Sequence, residues 1–290
     1  MNIGRIGIWT FLDLQPAKKA QEAAAEIESL GFGAIWIPEA LGREAFSSAG
    51  MLLAGTSRIV IATGIANIWV RDPMAMAGAQ RTLTEGYPDR FLLGIGVSHA
   101  PLVGMRGHDY GKPLSAMRRY LDAMASAPFM AVPPSTEPAT VIGALAPKML
   151  ELAAERTKGA HPYFVPPEHT AFARQKMGKG PLLAPEQAVI LETDADKARA
   201  VARGHMATYL GLPNYANNLK RLGFTDDDIG SGGSDRLVDA IVAWGSIDKI
   251  AQRIRAHHDA GADHVCIQVL DPDPRTLPLP QWRELAAALL

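Results

Sequence analysis

Two histidines, a tyrosine, a serine and an asparagine stand where apolar runs of the chain give way to small or polar residues: Asn67, Ser98, His99, His161 and Tyr163. Imidazoles with an unperturbed pKa of about 6.5 can give or take a proton at neutral pH, so His99 and then His161 are the leading candidates for proton transfer. Tyr163 can orient a partner as a donor. Asn67 brings two donors and an acceptor, and it follows the run Arg58 to Ala62 by way of Gly64, Ile65 and Ala66. A glycine breaking a buried strand marks a bulge or a close approach of ligand or backbone, although glycine beside asparagine is also ordinary turn chemistry. The third motif, Gly143-Ala144-Leu145-Ala146-Pro147-Lys148, passes through small residues to a proline at a helix start. Free N–H groups there would face an anion such as a phosphate, or the segment is a plain joint between strand and helix. A histidine at a strand end is equally well a hydrogen-bonded structural residue.

These groups need elements to aim them. Apolar strand candidates fall at Ile3 to Trp9, Ala34 to Pro38, Ile59 to Ala62, Phe91 to Ile95, Thr140 to Ala144, Gly159 to Val165, Ala188 to Leu191 and His264 to Leu270. Helical spacing lies between most of them, as in Ala20, Ala23, Ala24, Ile27 and Leu30 before Gly31. That alternation predicts an α/β protein, a (β/α)8 TIM barrel of one domain over residues 1–290. The longer stretch between strands seven and eight, residues 193–245, predicts a helical insertion over the barrel mouth. In such a barrel the C-terminal strand ends converge, so Trp9, Glu39, Gly64 to Asn67, Ser98, His99, Gly143 to Lys148, His161 and Tyr163 should surround one cavity.

With a formal net charge of −1 and no long basic run, the chain is not built for nucleic acid or an anionic membrane. The N-terminus has no basic segment before a long apolar one, and no apolar run reaches membrane-spanning length, so a soluble cytoplasmic protein is expected. The lone Cys266 sits among apolar neighbours and reads as a core thiol. Gly96-Val97-Ser98-His99-Ala100 lacks the last glycine of a nucleophile elbow, there is no zinc-protease motif, and no metal is expected. What remains is an apolar, glycine-lined mouth with one phosphate-suited helix start, a pocket for a flat cofactor with a phosphorylated tail.

The chain resembles the bacterial-luciferase-like family of flavin and deazaflavin oxidoreductases, above all its actinobacterial branch that depends on coenzyme F420. The likeness runs through Gly31-Phe32-Gly33-Ala34-Ile35-Trp36-Ile37-Pro38-Glu39, Asp89 to Val97, Leu145 to Ala153 and Ala260 to Val265. The resemblance implies a bulge with a non-proline cis peptide at Gly64-Ile65 behind the cofactor ring, with Asn67 on the polar edge of that ring. It also implies Gly143 to Ala146 and the helix from Pro147 around the tail, and an acidic residue, Glu39, near the ring. Sugar-phosphate dehydrogenases of the family carry a glutamate after the fourth-strand glycines, where this chain has Val97, so a sugar phosphate is not the expected substrate. The implied chemistry is hydride transfer between a deazaflavin and a carbonyl, alcohol or activated alkene. The alternatives are an FMN-dependent monooxygenase using reduced flavin and oxygen, or a non-catalytic flavin-binding barrel. Relatives usually form dimers, so a homodimer is expected, with the apolar helix Leu114 to Met124 as one possible contributor.

Overall fold

A computed structural model describes residues 1–290. Its strands are β1 (Ile6–Trp9), β2 (Ala34–Ile37), β3 (Val60–Thr63), β4 (Ala66–Asn67), β5 (Phe91–Gly96), β6 (Ala139–Ile142), β7 (Gly159–Ala160), β8 (Leu182–Leu183), β9 (Glu186–Ile190), β10 (Ala243–Trp244) and β11 (Val265–Val269). All pairings are parallel, in the order β10-β9-β11-β1-β2-β3-β5-β6-β7-β8, with β4 on β5. The sheet curls back on itself through the stretch Leu182–Ile190. On one side Ala184 N–H donates to Ala160 O at 2.9 Å, and on the other Cys266 N–H donates to Pro185 O at 3.0 Å.

Parallel strands covered on both faces read as unbroken apolar runs, which is why the pattern was legible. Alternate residues still divide by face. Ile8, Ile35, Ile61, Leu93, Ile142 and Ile267 pack outward against helices through Ala24, Leu52, Met76, Met117, Leu150 and Ile254. Trp9, Ala34, Trp36, Ala62, Val141 and Cys266 face inward as a separate cluster. Two indoles therefore fill much of the interior. Their bulk is matched by missing side chains: a Cβ on Gly7 would lie 2.7 Å from His264 Nε2, and the His161 ring stacks on Trp36 at 4.3 Å and 15°.

The departures from the sequence pattern have local causes. The sixth strand stops at Ala160 instead of Val165, since Pro162 has no N–H for the ladder and Phe164 adopts φ 60°. The seventh begins earlier than Ala188, because the buried polar pair Glu186 and Gln187 masks its start. The first and last strands are trimmed to Ile6–Trp9 and Val265–Val269, and a short helix, Ala100–Met105, follows β5. Between β9 and β11 lie the helices Ala195–Leu210, Pro213–Arg221, Asp226–Ile229 and Asp235–Ile241, then β10 and the helix Ile247–Asp259. The first, second and fourth of these pack with Phe164, Ala188 and Ile190 into a second core that includes Met206, Tyr215, Leu219 and Leu237. No helix is long and apolar enough to cross a membrane.

Candidate active site

The end of β3 forms the floor. The Gly64–Ile65 peptide is cis, as the resemblance implies, and Gly64 N–H donates to Ile37 O at 2.8 Å. A Cβ on Gly64 would lie 2.7 Å from Trp9 Nε1 and 3.0 Å from His161 Nε2. Both nitrogens are buried and have no hydrogen-bond partner. Since the Ala184 carbonyl, 2.7 Å from His161 Nδ1, can only accept, the proton of this imidazole sits on Nδ1 and Nε2 is a bare acceptor. Burial, against the stabilising bond to Ala184, pushes His161 down to about 4, so the ring is neutral at physiological pH. His161 is thus an acceptor and not the two-way proton carrier that its residue type allows. Buried polar atoms normally find partners. The bare α-carbon of Gly64 instead receives the edges of the Trp9 and His161 rings, and neither nitrogen is exposed.

Ile65 faces the other way, and its side chain lies over Gly96 and Gly143. The bare α-carbons of those two glycines therefore receive Ile65 itself, which answers the question that their spacing raises in the sequence. Ala66 and Asn67 shift from the β2 side to pair with β5. Asn67 Oδ1 accepts from Trp69 N–H at 2.9 Å, which leaves its amide nitrogen without a protein partner.

Glu39 corrects its expected role. Its carboxylate pairs with Arg71 and accepts from Asn67 N–H at 2.7 Å and Ala45 N–H at 3.1 Å. Only 4% of the Glu39 side chain and 10% of the Arg71 side chain are exposed. A carboxylate held by four donors is a clamp on the β3–β4 turn and is poorly placed to move protons.

The rim joins the strand ends to the helices before β10. His99 Nδ1 lies 3.2 Å from Asn214 Oδ1, and its ring is 5.5 Å from Tyr215. Burial lowers the His99 pKa and the bond to Asn214 opposes it, but the residue remains half-exposed. Ser98 sits at φ 58° and uses its carbonyl to accept from Tyr110 Oη at 2.9 Å. Tyr163 donates to Gln268 Oε1 at 2.8 Å and lies 2.9 Å from Tyr209 Oη, so its hydroxyl is already committed. Around the fifth strand end, Ala144 is buried, Leu145 O accepts from His169 Nε2 at 3.0 Å, and Ala146 and Lys148 are exposed. The helix Pro147–Arg156 opens at Ala146 with no side-chain cap; Pro147 has no N–H, Met149 and Leu150 N–H both donate to Ala146 O at 3.0 Å, and Lys148 N–H is left without a protein acceptor.

Two residues that sequence reading passes over, Glu186 and Gln268, join this site. Glu186 is buried, its Oε2 accepts from Phe164 N–H at 3.2 Å, and its Oε1 has no partner. Burial raises it to about 8, so it is a neutral acid near pH 7. A glutamate followed by Gln187 inside a strand was the available signal. Gln268 gave none, because it becomes polar scaffolding only through Tyr163.

The comparisons with known proteins agree with this architecture. A Mycobacterium tuberculosis protein assigned as a coenzyme F420-dependent oxidoreductase is 26% identical, with 90% of this chain and 93% of that protein covered. The 5,10-methylenetetrahydromethanopterin reductase of Methanolobus tindarius is also 26% identical, over 88% and 91%. Among solved structures, an F420-dependent secondary alcohol dehydrogenase in complex with an F420–acetone adduct superposes with a TM-score of 0.79, at 17% identity and 99% coverage of both chains. At that identity it speaks for the fold alone. The family model described as luciferase-like monooxygenase matches residues 5–264, most of the chain, and the protein belongs to that family.

Proposed function

We propose that this protein is an oxidoreductase that uses the deazaflavin F420 as hydride carrier for a small organic substrate, a carbonyl, an alcohol or an activated alkene. The reading takes the whole chain as one (β/α)8 barrel domain, with residues 193–245 as helices over its mouth. The observation that carries it is the amide nitrogen of Asn67, without a protein partner at the end of β4, together with the helix start at Pro147 that lacks a side-chain cap beside the exposed Lys148. The deazaflavin supplies two-electron hydride chemistry when bound. Gly64, Ile65 and Asn67 would hold its ring, with the free amide of Asn67 donating to the ring edge. The uncapped helix start at Pro147, with Lys148, would take the anionic tail. His99, half-exposed at the rim, would handle the proton. Strand ends and inward-facing indoles exclude water from the floor. The relative in Mycobacterium tuberculosis that is assigned as F420-dependent supports the same cofactor.

Titrating the purified protein with oxidised F420 and, separately, with FMN tests the proposal. Saturable F420 binding that is weakened when Lys148 is replaced by Glu is the expected result. Tight binding of FMN alone would overturn the cofactor and favour a monooxygenase.

A further inference from the structure

His99 stands just past the end of β5, and the polar group that meets its ring comes from a distant part of the chain. The helix Pro213–Arg221, between β9 and β10, carries Asn214 just inside its start. The Asn214 amide oxygen lies 3.2 Å from His99 Nδ1. An amide oxygen only accepts, so the proton of the neutral ring sits on Nδ1 and Nε2 keeps its lone pair.

The helix that offers this acceptor is itself held in place. Its next residue, Tyr215, is 7% exposed, with ring centroids 5.4 Å from Phe164 and 5.3 Å from Tyr209, and Asn218 and Leu219 are buried one turn on. Tyr215 also packs on the His99 ring, 5.5 Å away and tilted by 44°. A side chain presented from a packed helix keeps its direction better than one on a loop.

The other ring nitrogen is left for a ligand. His99 Nε2 has no protein partner and is accessible, whereas Nε2 of His161 and of His205 are sealed without partners. No charged side chain bears on the His99 ring, whose protonation answers to burial and to the Asn214 bond. The titratable neighbours are Tyr215 and Tyr110, which is bonded to Ser98 O, and burial holds both phenols above their ordinary value and neutral at pH 7.

We infer that Asn214 is a positioning residue for the proton step: it holds His99 with Nε2 bare and accessible, so that this atom, and not Nδ1, exchanges the proton with a substrate. The role rests on the oxidoreductase reading, whereas the setting of the ring rests on the contact alone. The site is then incomplete without the helices between β9 and β10, because β5 supplies the imidazole and they supply the group that aims it.

Heteronuclear NMR of histidine-labelled protein, with the His99 signals assigned by their loss in His99→Gln, reads the ring directly and needs no substrate. Above the titration midpoint the wild type should show Nδ1 protonated and Nε2 bare. Asn214→Leu should abolish that preference and lower the midpoint. Asn214→Asp keeps the acceptor and adds a charge, so it should raise the midpoint by about one pH unit or more. Asn214 is exposed, and both variants should fold. With F420 and a panel of secondary alcohols, ketones and enones, Asn214→Leu should lower kcat about tenfold or more while KM stays within about threefold. Asn214→Asp should restore most of that rate and carry the pH break of kcat upward with the ring. A tautomer and midpoint that neither substitution changes would overturn the setting of the ring, and a ring that responds while kcat and its pH break stay put would overturn the positioning role. Absence of F420 binding and of turnover would overturn the oxidoreductase reading and the positioning role with it, leaving the Asn214 contact to stand or fall on the NMR.

Discussion

His99 and His161 meet opposite surroundings. His161 is locked by its Nδ1–H bond to Ala184 and held neutral by burial, so it can accept but does not carry a proton at pH 7. His99 is less buried and lies beside the amide of Asn214, whose bond to the ring opposes the lowering of its pKa by burial. Removing a proton-transfer group typically costs about 10²–10⁴-fold in rate. His99→Ala should thus lower kcat about 100-fold or more while F420 affinity stays within about twofold, as steady-state kinetics paired with cofactor titration would show. The pH profile of the wild type should break below His99's ordinary value of about 6.5, since burial favours the neutral ring. At this scale the sequence named most of the floor, because glycine and histidine at strand ends are conspicuous. It missed Glu186, since a carboxyl in a strand usually marks an exposed face, and only burial makes this one neutral.

At the level of elements, the turn after β3 is fixed by charge. Glu39 holds Arg71, the Asn67 amide and the Ala45 amide at once, and Arg71 reaches Glu44 as well at 2.8 Å. Breaking a buried ion pair from one side strands the other charge, at about 3–5 kcal/mol. Glu44 remains to receive Arg71, so Glu39→Gln should cost about 3 kcal/mol, measurable as a lower denaturant midpoint. F420 affinity should fall with it, because the turn carries Asn67. Conservative loss of activity without loss of stability would return Glu39 to the catalytic role its position implies. The eight strand positions were readable from apolar runs. Their ends were not: Pro162 and Phe164 cut the sixth, and Glu186 and Gln187 blurred the seventh. Arg71 lies beyond the strand pattern, so its pairing with Glu39 had no local signal.

Across the whole molecule, buried titratable groups set opposite limits on stability. His161, His169, His205 and His264 are pushed down to about 4 and His257 to about 3, each chiefly by burial. Their contribution is complete above the unfolded value of about 6.5 and is lost as pH falls toward the folded values. Glu186 runs the other way. Its folded value of about 8 lies above the ordinary 4.5, so it favours folding most below about 4.5 and loses that contribution as pH rises toward 8. Stability should peak between about pH 6 and 7, with a steep acid limb and a shallow alkaline one. Glu186→Gln, neutral at every pH, should remove the decline between about pH 6.5 and 8 and steepen the limb between about pH 4.5 and 6.5, where Glu186 opposes the histidines, in denaturation midpoints recorded against pH.

The two-residue strand β10 sets a limit on how this family member can vary. It pairs with Val189 and Ile190 on the flank of β9 opposite β11, the flank that β7 occupies lower down before the chain turns away at Pro162. Ala243 and Trp244 thus take over a row of backbone donors and acceptors that would otherwise face solvent. The segment that returns the chain to them is therefore stitched into the sheet itself. A relative could lengthen or redecorate its helices freely, but one that discarded the segment would expose a sticky open seam, so evolution can reshape this stretch and cannot simply remove it.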